Sequence, residues 1–332
     1  MGKYEGNPVW DDVVPIPQDD GEGALAQIAY TDEYAEAMGY LRAIMAAKEY
    51  SPRVLDLTEH IISMNAAHYT VWLYRASTLR ALNTPIDKEL SWMNEVALQN
   101  QKNYQIWHHR QILIDQLYPS ISSDPAAIQA LADSELAFMT QMFDEDSKNY
   151  HVWSYRQYLV RKLGLFNSPA ELKSVENLLR KDIRNNSAWS HRFFLVFCNP
   201  EYSTPDSKAT EYDARIPDAI VDRELAFAQA ATFEAPQNQS PWNYIRGVLR
   251  KGGRKLSSVE QFAGEFVTLP EDDSAEDVKS SHALDFLAEA WSEEGKTEKA
   301  DHALRLLADK YDRIRKNYWD WRRAPLKEKT SK

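Results

Sequence analysis

The chain reads as an all-α protein, an α–α superhelix in which helical hairpins stack into a solenoid, and three observations predict it. One phrase recurs around Trp72, Trp107, Trp153, Trp189 and Trp242, most plainly as KNYQIWHHR (Lys102 to Arg110) and KNYHVWSYR (Lys148 to Arg156). Four residues before these tryptophans stand His68, Asn103, Asn149, Asn185 and Asn238, and three after them Arg75, Arg110, Arg156, Arg192 and Ile245. A second marker lies 18 residues upstream of most of them, at Glu89-Leu90, Glu135-Leu136, Glu171-Leu172 and Glu224-Leu225, while the first repeat keeps only Leu55. The tryptophans are spaced 35, 46, 36 and 53 residues apart, yet the offset between the markers is constant. That combination means a fixed helical pair joined by connections of variable length. Third, only 11 Gly occur in 332 residues, and long stretches are rich in the helix-forming Ala, Leu, Glu, Gln, Lys and Arg.

Taken in order, residues 1–30 hold Pro8, Pro15, Pro17 and a DDGEG stretch with no helical period, and read as an extended arm. The hairpin solenoid follows over residues 31–324. It begins with Tyr34, Met38, Tyr40, Leu41 and Ile44 on one amphipathic face. Turns are expected at Asn83-Thr84-Pro85, Tyr118 to Pro125, Gly164 to Pro169 and Asn199-Pro200, and Lys251-Gly252-Gly253-Arg254 interrupts the pattern. In the second helix of a repeat, Ile106, Leu113 and Leu117 match Val152, Leu159 and Leu163, one apolar stripe for stacking. Each repeat Trp is expected in that packing. Ala283 to Ala290 and Glu298 to Arg315 are again helical, and Asn317 to Trp321 resembles a degenerate sixth copy. Pro325 breaks the helix, leaving residues 325–332 as a charged tail.

Composition excludes several classes. A formal charge of −11 argues against nonspecific nucleic-acid binding, so any anion site must be local. The single cysteine, Cys198, cannot form an internal disulfide, and at the end of FFLVFCNP it reads as a core thiol. No apolar run approaches the ~18 residues of a membrane span, and no signal segment opens the chain, which points to the cytoplasm. The eight histidines show no ligand spacing, so no metal is expected in this chain. Asp272-Asp273-Ser274-Ala275-Glu276 reads as a polar loop rather than a magnesium motif.

The chemistry-bearing column lies at the start of the second helices. Asn103, Asn149, Asn185 and Asn238 are placed as N-caps, whose side-chain oxygens satisfy orphan backbone N–H groups. Just before three of them stand Lys102, Lys148 and Arg184. Helix N-termini already carry partial positive charge, so cations there make a local anion site, for which a diphosphate is a natural occupant.

The phrases KNYQIWHHR, KNYHVWSYR, RNNSAWSHR and SPWNY, in their order and spacing, resemble the repeats of the protein prenyltransferase alpha subunit. The match runs from about residue 8, at PVWDDVVPIPQDDGEGALAQIAYTDEY, to near Trp321. That opening stretch looks more like the alpha subunit shared by farnesyltransferase and type I geranylgeranyltransferase than like the Rab-specific one. The resemblance implies a right-handed crescent wrapped around a beta subunit as an obligate heterodimer, with the catalytic zinc in the beta subunit and none in this chain. Magnesium at the shared diphosphate site is a further implied cofactor. The implied reaction is attack by a CaaX cysteine thiolate on the first carbon of farnesyl or geranylgeranyl diphosphate. Position by position, Lys102 matches the diphosphate-contacting lysine, Gln105 a residue that binds the CaaX carboxylate, and Tyr104, Asn149, Tyr150 and His151 residues lining the same face. Lys102 and Tyr150 are the catalytic candidates. Two other readings are a Rab geranylgeranyltransferase alpha subunit and a non-catalytic tetratricopeptide-like peptide scaffold. Repeated Lys-Asn-Tyr at helix starts, in place of small packing residues, speaks against the scaffold. The last full repeat departs from the pattern, with Gln237, Gln239 and Ile245, and is expected to be structural.

Overall fold

The computed structural model describes residues 2–26, 28–270 and 276–330, so the Asp272 to Ala275 stretch lies outside the described residues. Two compact units divide the chain, residues 1–163 and 164–332. In the first unit, α1 (Asp32–Ala47) leads into three hairpins: α2 (Pro52–Met64) with α3 (Tyr69–Leu82), α4 (Ile86–Gln99) with α5 (Tyr104–Ile121), and α6 (Pro125–Glu145) with α7 (Tyr150–Leu163). The second helices stack, α3 on α5 and α5 on α7. In the second unit, α8 (Pro169–Lys181) pairs with α9 (Asn186–Phe197), and α10 (Asp218–Glu234) with α11 (Gln239–Lys251). Then come the single turn α12 (Glu260–Gly264), α13 (Ser281–Glu293), α14 (Thr297–Leu306) and α15 (Lys316–Thr330), with α9 against α11 and α11 against α13. Strand among the described residues is confined to Val267–Thr268 paired with Asp277–Val278.

The repeat tryptophans are core. Trp72, Trp107, Trp153, Trp189 and Trp242 are all buried, as are Ile106, Leu113, Val152, Leu159 and Leu163 of the expected stripe. Asn103, Asn185 and Asn238 cap α5, α9 and α11 through side-chain oxygens that accept first-turn N–H groups. His68, which replaces Asn in the first repeat, makes no such bond.

The two sequence markers meet in a buried staple that the sequence did not reveal. Three of the marker glutamates accept from the Arg of the preceding repeat: Arg75 to Glu89 at 2.7 and 2.8 Å, Arg110 to Glu135 at 2.8 and 2.7 Å, Arg192 to Glu224 at 2.7 and 3.1 Å. Each marker Glu accepts from a residue 20 positions on in its own hairpin, His109 for Glu89, Tyr155 for Glu135, Tyr244 for Glu224, and His191 for Glu171. Three residues after the Glu, an aromatic ring carries the guanidinium: Trp92 under Arg75 at 4.0 Å, Phe138 under Arg110 at 4.0 Å, Phe227 under Arg192 at 3.6 Å. The bidentate fork and the stacking surface explain why the column is Arg rather than Lys.

Several local expectations are corrected. The start of the arm is docked: Tyr4 and Trp10 are buried against Tyr40, and Glu36 accepts the backbone N–H groups of Lys3, Tyr4 and Glu5. Helix α5 continues through Pro119 to Ile121, so the expected turn from Tyr118 shortens to residues 122–124. Pro325 sits inside α15, where it removes one ladder bond, and Leu326 beside it is buried. Trp321, aligned with the repeat tryptophans, is 69% exposed, and Trp319 is the buried ring instead. Cys198 is exposed at the C-cap of α9, because the apolar run ends at Phe197.

Candidate functional site

The starts of α5 and α7 lie side by side in the first unit. Asn103 fixes the first turn of α5, its Oδ1 accepting from Gln105 N at 2.8 Å and Ile106 N at 3.2 Å. Asn149 does the same for α7, accepting from His151 N at 3.0 Å, and its Nδ2 donates to the Gln101 carbonyl at 3.0 Å. One amide therefore ties the turn before α5 to the turn before α7.

That clamp assembles a polar and aromatic cluster. Lys102 is 65% exposed on its side chain, and its Nζ contacts the Asp146 carboxylate. Tyr104 and Tyr150 are 68% and 70% exposed, an unusual display for such large rings. The His151 ring meets Tyr104 edge-on at 4.3 Å and Tyr150 at 5.7 Å. Burial, and then the nearby Lys102 charge, push the His151 pKa below its usual value, so the imidazole is neutral at pH 7. Asp146 is held below the ordinary carboxylate range by Lys102 first and by the Lys148 backbone N–H next. A cation, an oriented carboxylate, a neutral imidazole and two phenols thus share one edge, where helix N–H groups already favour an anion.

Of the residues singled out from sequence, Lys102, Tyr104, Asn149, Tyr150 and His151 come together here. Gln105 stands half-buried on the first turn of α5. Asn149 is fully buried with its amide bonded at both ends, so it bears on the cluster by holding it. Lys148 is exposed in the same column, and Arg184 is exposed in the second unit. Sequence reasoning missed one member, Asp146, and one residue of the tyrosine column. Tyr69 occupies the column of Tyr104 and Tyr150 and is 64% exposed. Asp146 belongs to a column with Asn65, Asn100 and Asp182, seven residues before the repeat Trp. The side chains of Asn65, Asp146 and Asp182 accept from the N–H two residues on, so the column was a readable turn signal.

Elsewhere, a cavity of about 760 Å³ in the second unit, lined in part by Val267, Leu287, Trp291 and His302, contains none of these residues. Among the described residues no three His, Cys, Asp or Glu side chains are gathered as metal ligands, and no helix is long and apolar enough to cross a membrane.

Comparison with known proteins places this geometry. The protein prenyltransferase alpha subunit repeat matches residues 51–82, 86–117, 132–163, 168–198 and 221–252, each range spanning one hairpin from α2 to α11. The protein farnesyltransferase/geranylgeranyltransferase type-1 subunit alpha of Candida albicans is 37% identical over 318 residues, covering 96% of this chain and 97% of the relative. A solved structure of Candida albicans protein geranylgeranyltransferase-I complexed with GGPP superposes with a TM-score of 0.82 at 37% identity, over 95% of this chain and 97% of that one. The geranylgeranyl transferase type-2 subunit alpha of Sus scrofa matches over 73 residues only, 22% of this chain.

Proposed function

The chain belongs to the family of alpha subunits shared by protein farnesyltransferase and geranylgeranyltransferase type-1, and from that premise we propose what its exposed cluster does. It is the subunit that meets the isoprenoid diphosphate and the CaaX peptide, in a cytoplasmic heterodimer with a beta subunit. The observation that carries this reading is the Lys102 ammonium, presented at a helix start beside the edge-to-face Tyr104–His151 pair.

The chemistry follows from charge. When a CaaX cysteine thiolate attacks the first carbon of the isoprenoid, the carbon–oxygen bond breaks and its electron pair goes to the departing diphosphate. Negative charge grows there, so a cation already in place lowers the barrier more than it tightens substrate binding. Lys102 is that cation. Tyr150 and Tyr104 offer phenol donors beside it, and the neutral His151 donates one hydrogen bond without adding charge. Gln105, with an amide donor, suits the peptide's terminal carboxylate. Among the described residues no three His, Cys, Asp or Glu side chains gather as a metal site. Zinc is assigned to the beta subunit.

Co-expression with candidate beta subunits tests the reading. Prenylation of CaaX peptides should appear only in the heterodimer. Activity toward Rab proteins alone, or a chain that pairs with no beta subunit, would overturn it.

A further inference from the structure

The turn that carries Lys102 is closed by the Asn103 N–H to Asn100 carbonyl bond at 3.0 Å and is further held by the next hairpin. In the other repeats the Trp indole N–H donates to the carbonyl six residues back: Trp72 to Ala66 at 2.9 Å, Trp153 to Ser147 at 2.9 Å, Trp189 to Ile183 at 2.8 Å and Trp242 to Pro236 at 3.0 Å. The buried Trp107 indole N–H makes no hydrogen bond, and the carbonyl it would use, that of Gln101, accepts from Asn149 Nδ2 at 3.0 Å instead. Leaving a buried donor unpaired is unfavourable, so the position of this turn is set by other contacts. Asn238 shows the alternative, since it donates to the Ile183 carbonyl at 2.8 Å while Trp189 keeps its bond to the same atom.

The second contact across this junction is Lys102 with Asp146, 44 positions apart. Asp146 is held by three hydrogen bonds besides the contact with Lys102. Its N–H donates to Met142 O at 3.0 Å, its carbonyl accepts from Asn149 N at 3.1 Å, and its Oδ1 accepts from Lys148 N at 2.9 Å. The remaining oxygen, Oδ2, faces the ammonium. A long flexible stem is thereby anchored to a fixed carboxylate.

We propose that Asp146 is a positioning residue for the prenyl-transfer step, resting on the assignment of Lys102 above. Asp146 fixes the ammonium at the α7 side of the cluster and offsets its charge while the diphosphate is intact. The attraction is then expressed mainly as negative charge builds on the leaving group, which favours the transition state over the ground state.

Asp146→Asn tests this with little risk to the fold, because the chain itself uses Asn at this column, where Asn65 accepts from Ala67 N at 3.1 Å. The variant should be assembled with the beta subunit, and diphosphate affinity and single-turnover rate measured separately. Affinity should rise about two- to fivefold, the range one exposed charge pair supplies. The rate should fall about tenfold, as a loosened catalytic group costs effective molarity. A merely structural lesion would weaken binding and rate together. In a Lys102→Ala background, adding Asp146→Asn should leave the rate unchanged, since nothing remains to position. The proposal is overturned if Asp146→Asn turns over at the parental rate, or if it slows the Lys102→Ala enzyme by the same factor as the parent. If Lys102→Ala alone has the parental rate, the fault lies with the assignment of Lys102 instead.

Discussion

Asn149 shows how a single side chain serves two hairpins. Its oxygen caps α7 and its amide nitrogen reaches the carbonyl before Lys102, both through a fully buried group. Asn149→Ala removes the cap and leaves backbone groups unpaired, so it should destabilise the protein by about 1–3 kcal/mol, read from thermal or denaturant unfolding. Its effect on the rate should exceed that of Asn185→Ala, a cap in the second unit that leads to no exposed tyrosine. The caps and buried tryptophans were legible in the sequence because each is decided within one turn of its own helix. The pairing of Asp146 with Lys102 was not, since the two lie 44 positions apart and only stacking of the hairpins brings them together. Cys198 was misread because an apolar run can end one residue before a thiol.

Between elements, cohesion comes from the buried Glu staples. Removing one partner of a buried ion pair leaves the other uncompensated, so Glu135→Gln should cost about 3–5 kcal/mol, seen as a lower denaturant midpoint. Acid should act on the same joints. For Glu89, burial opposes ionisation, but hydrogen bonds from His109 and Arg75 outweigh it and leave its pKa below the ordinary value. For His109, burial depresses the pKa more than the bond to Glu89 raises it, and Nδ1 has no acceptor for a second proton. Both groups therefore take up protons more readily unfolded than folded. His109 should cost stability as pH falls below about 6.5, and Glu89 below about 4.3, with full stability above. Unfolding free energies from pH 7 to 4 check the sign, and His109→Gln should flatten the upper part of the curve. The sequence displayed the Arg and Glu columns but not their pairing, because the separations of 14, 25 and 32 residues between partners follow the variable connections. The turn expected from Tyr118 and the break expected at Pro325 were overread, since helices α5 and α15 run through Pro119 and Pro325 with the loss of one ladder bond each.

At the scale of the whole molecule, Tyr69, Tyr104 and Tyr150 expose large aromatic rings at the starts of three second helices. The isolated chain should be helical but prone to self-association, and co-expression with a beta subunit should relieve this through an interface above ~2,000 Å². Metal analysis should find about one zinc in the heterodimer and substoichiometric metal in the chain alone; tight stoichiometric zinc in the lone chain would place the metal wrongly. The hairpin repeats were legible from residue 51 to residue 252, whereas the division into two compact units was not, because nothing in the repeat phrase marks the boundary at Leu163. The central claim is that Lys102 supplies charge to the departing diphosphate, and the single-turnover rate of the Lys102→Ala heterodimer tests it most directly. That rate should fall by about 2–4 kcal/mol of activation free energy, comparable to losing one oxyanion-hole donor, with assembly intact and Lys148→Ala affected less. A parental rate for Lys102→Ala, or a loss traced only to failed dimerisation, would contradict the claim.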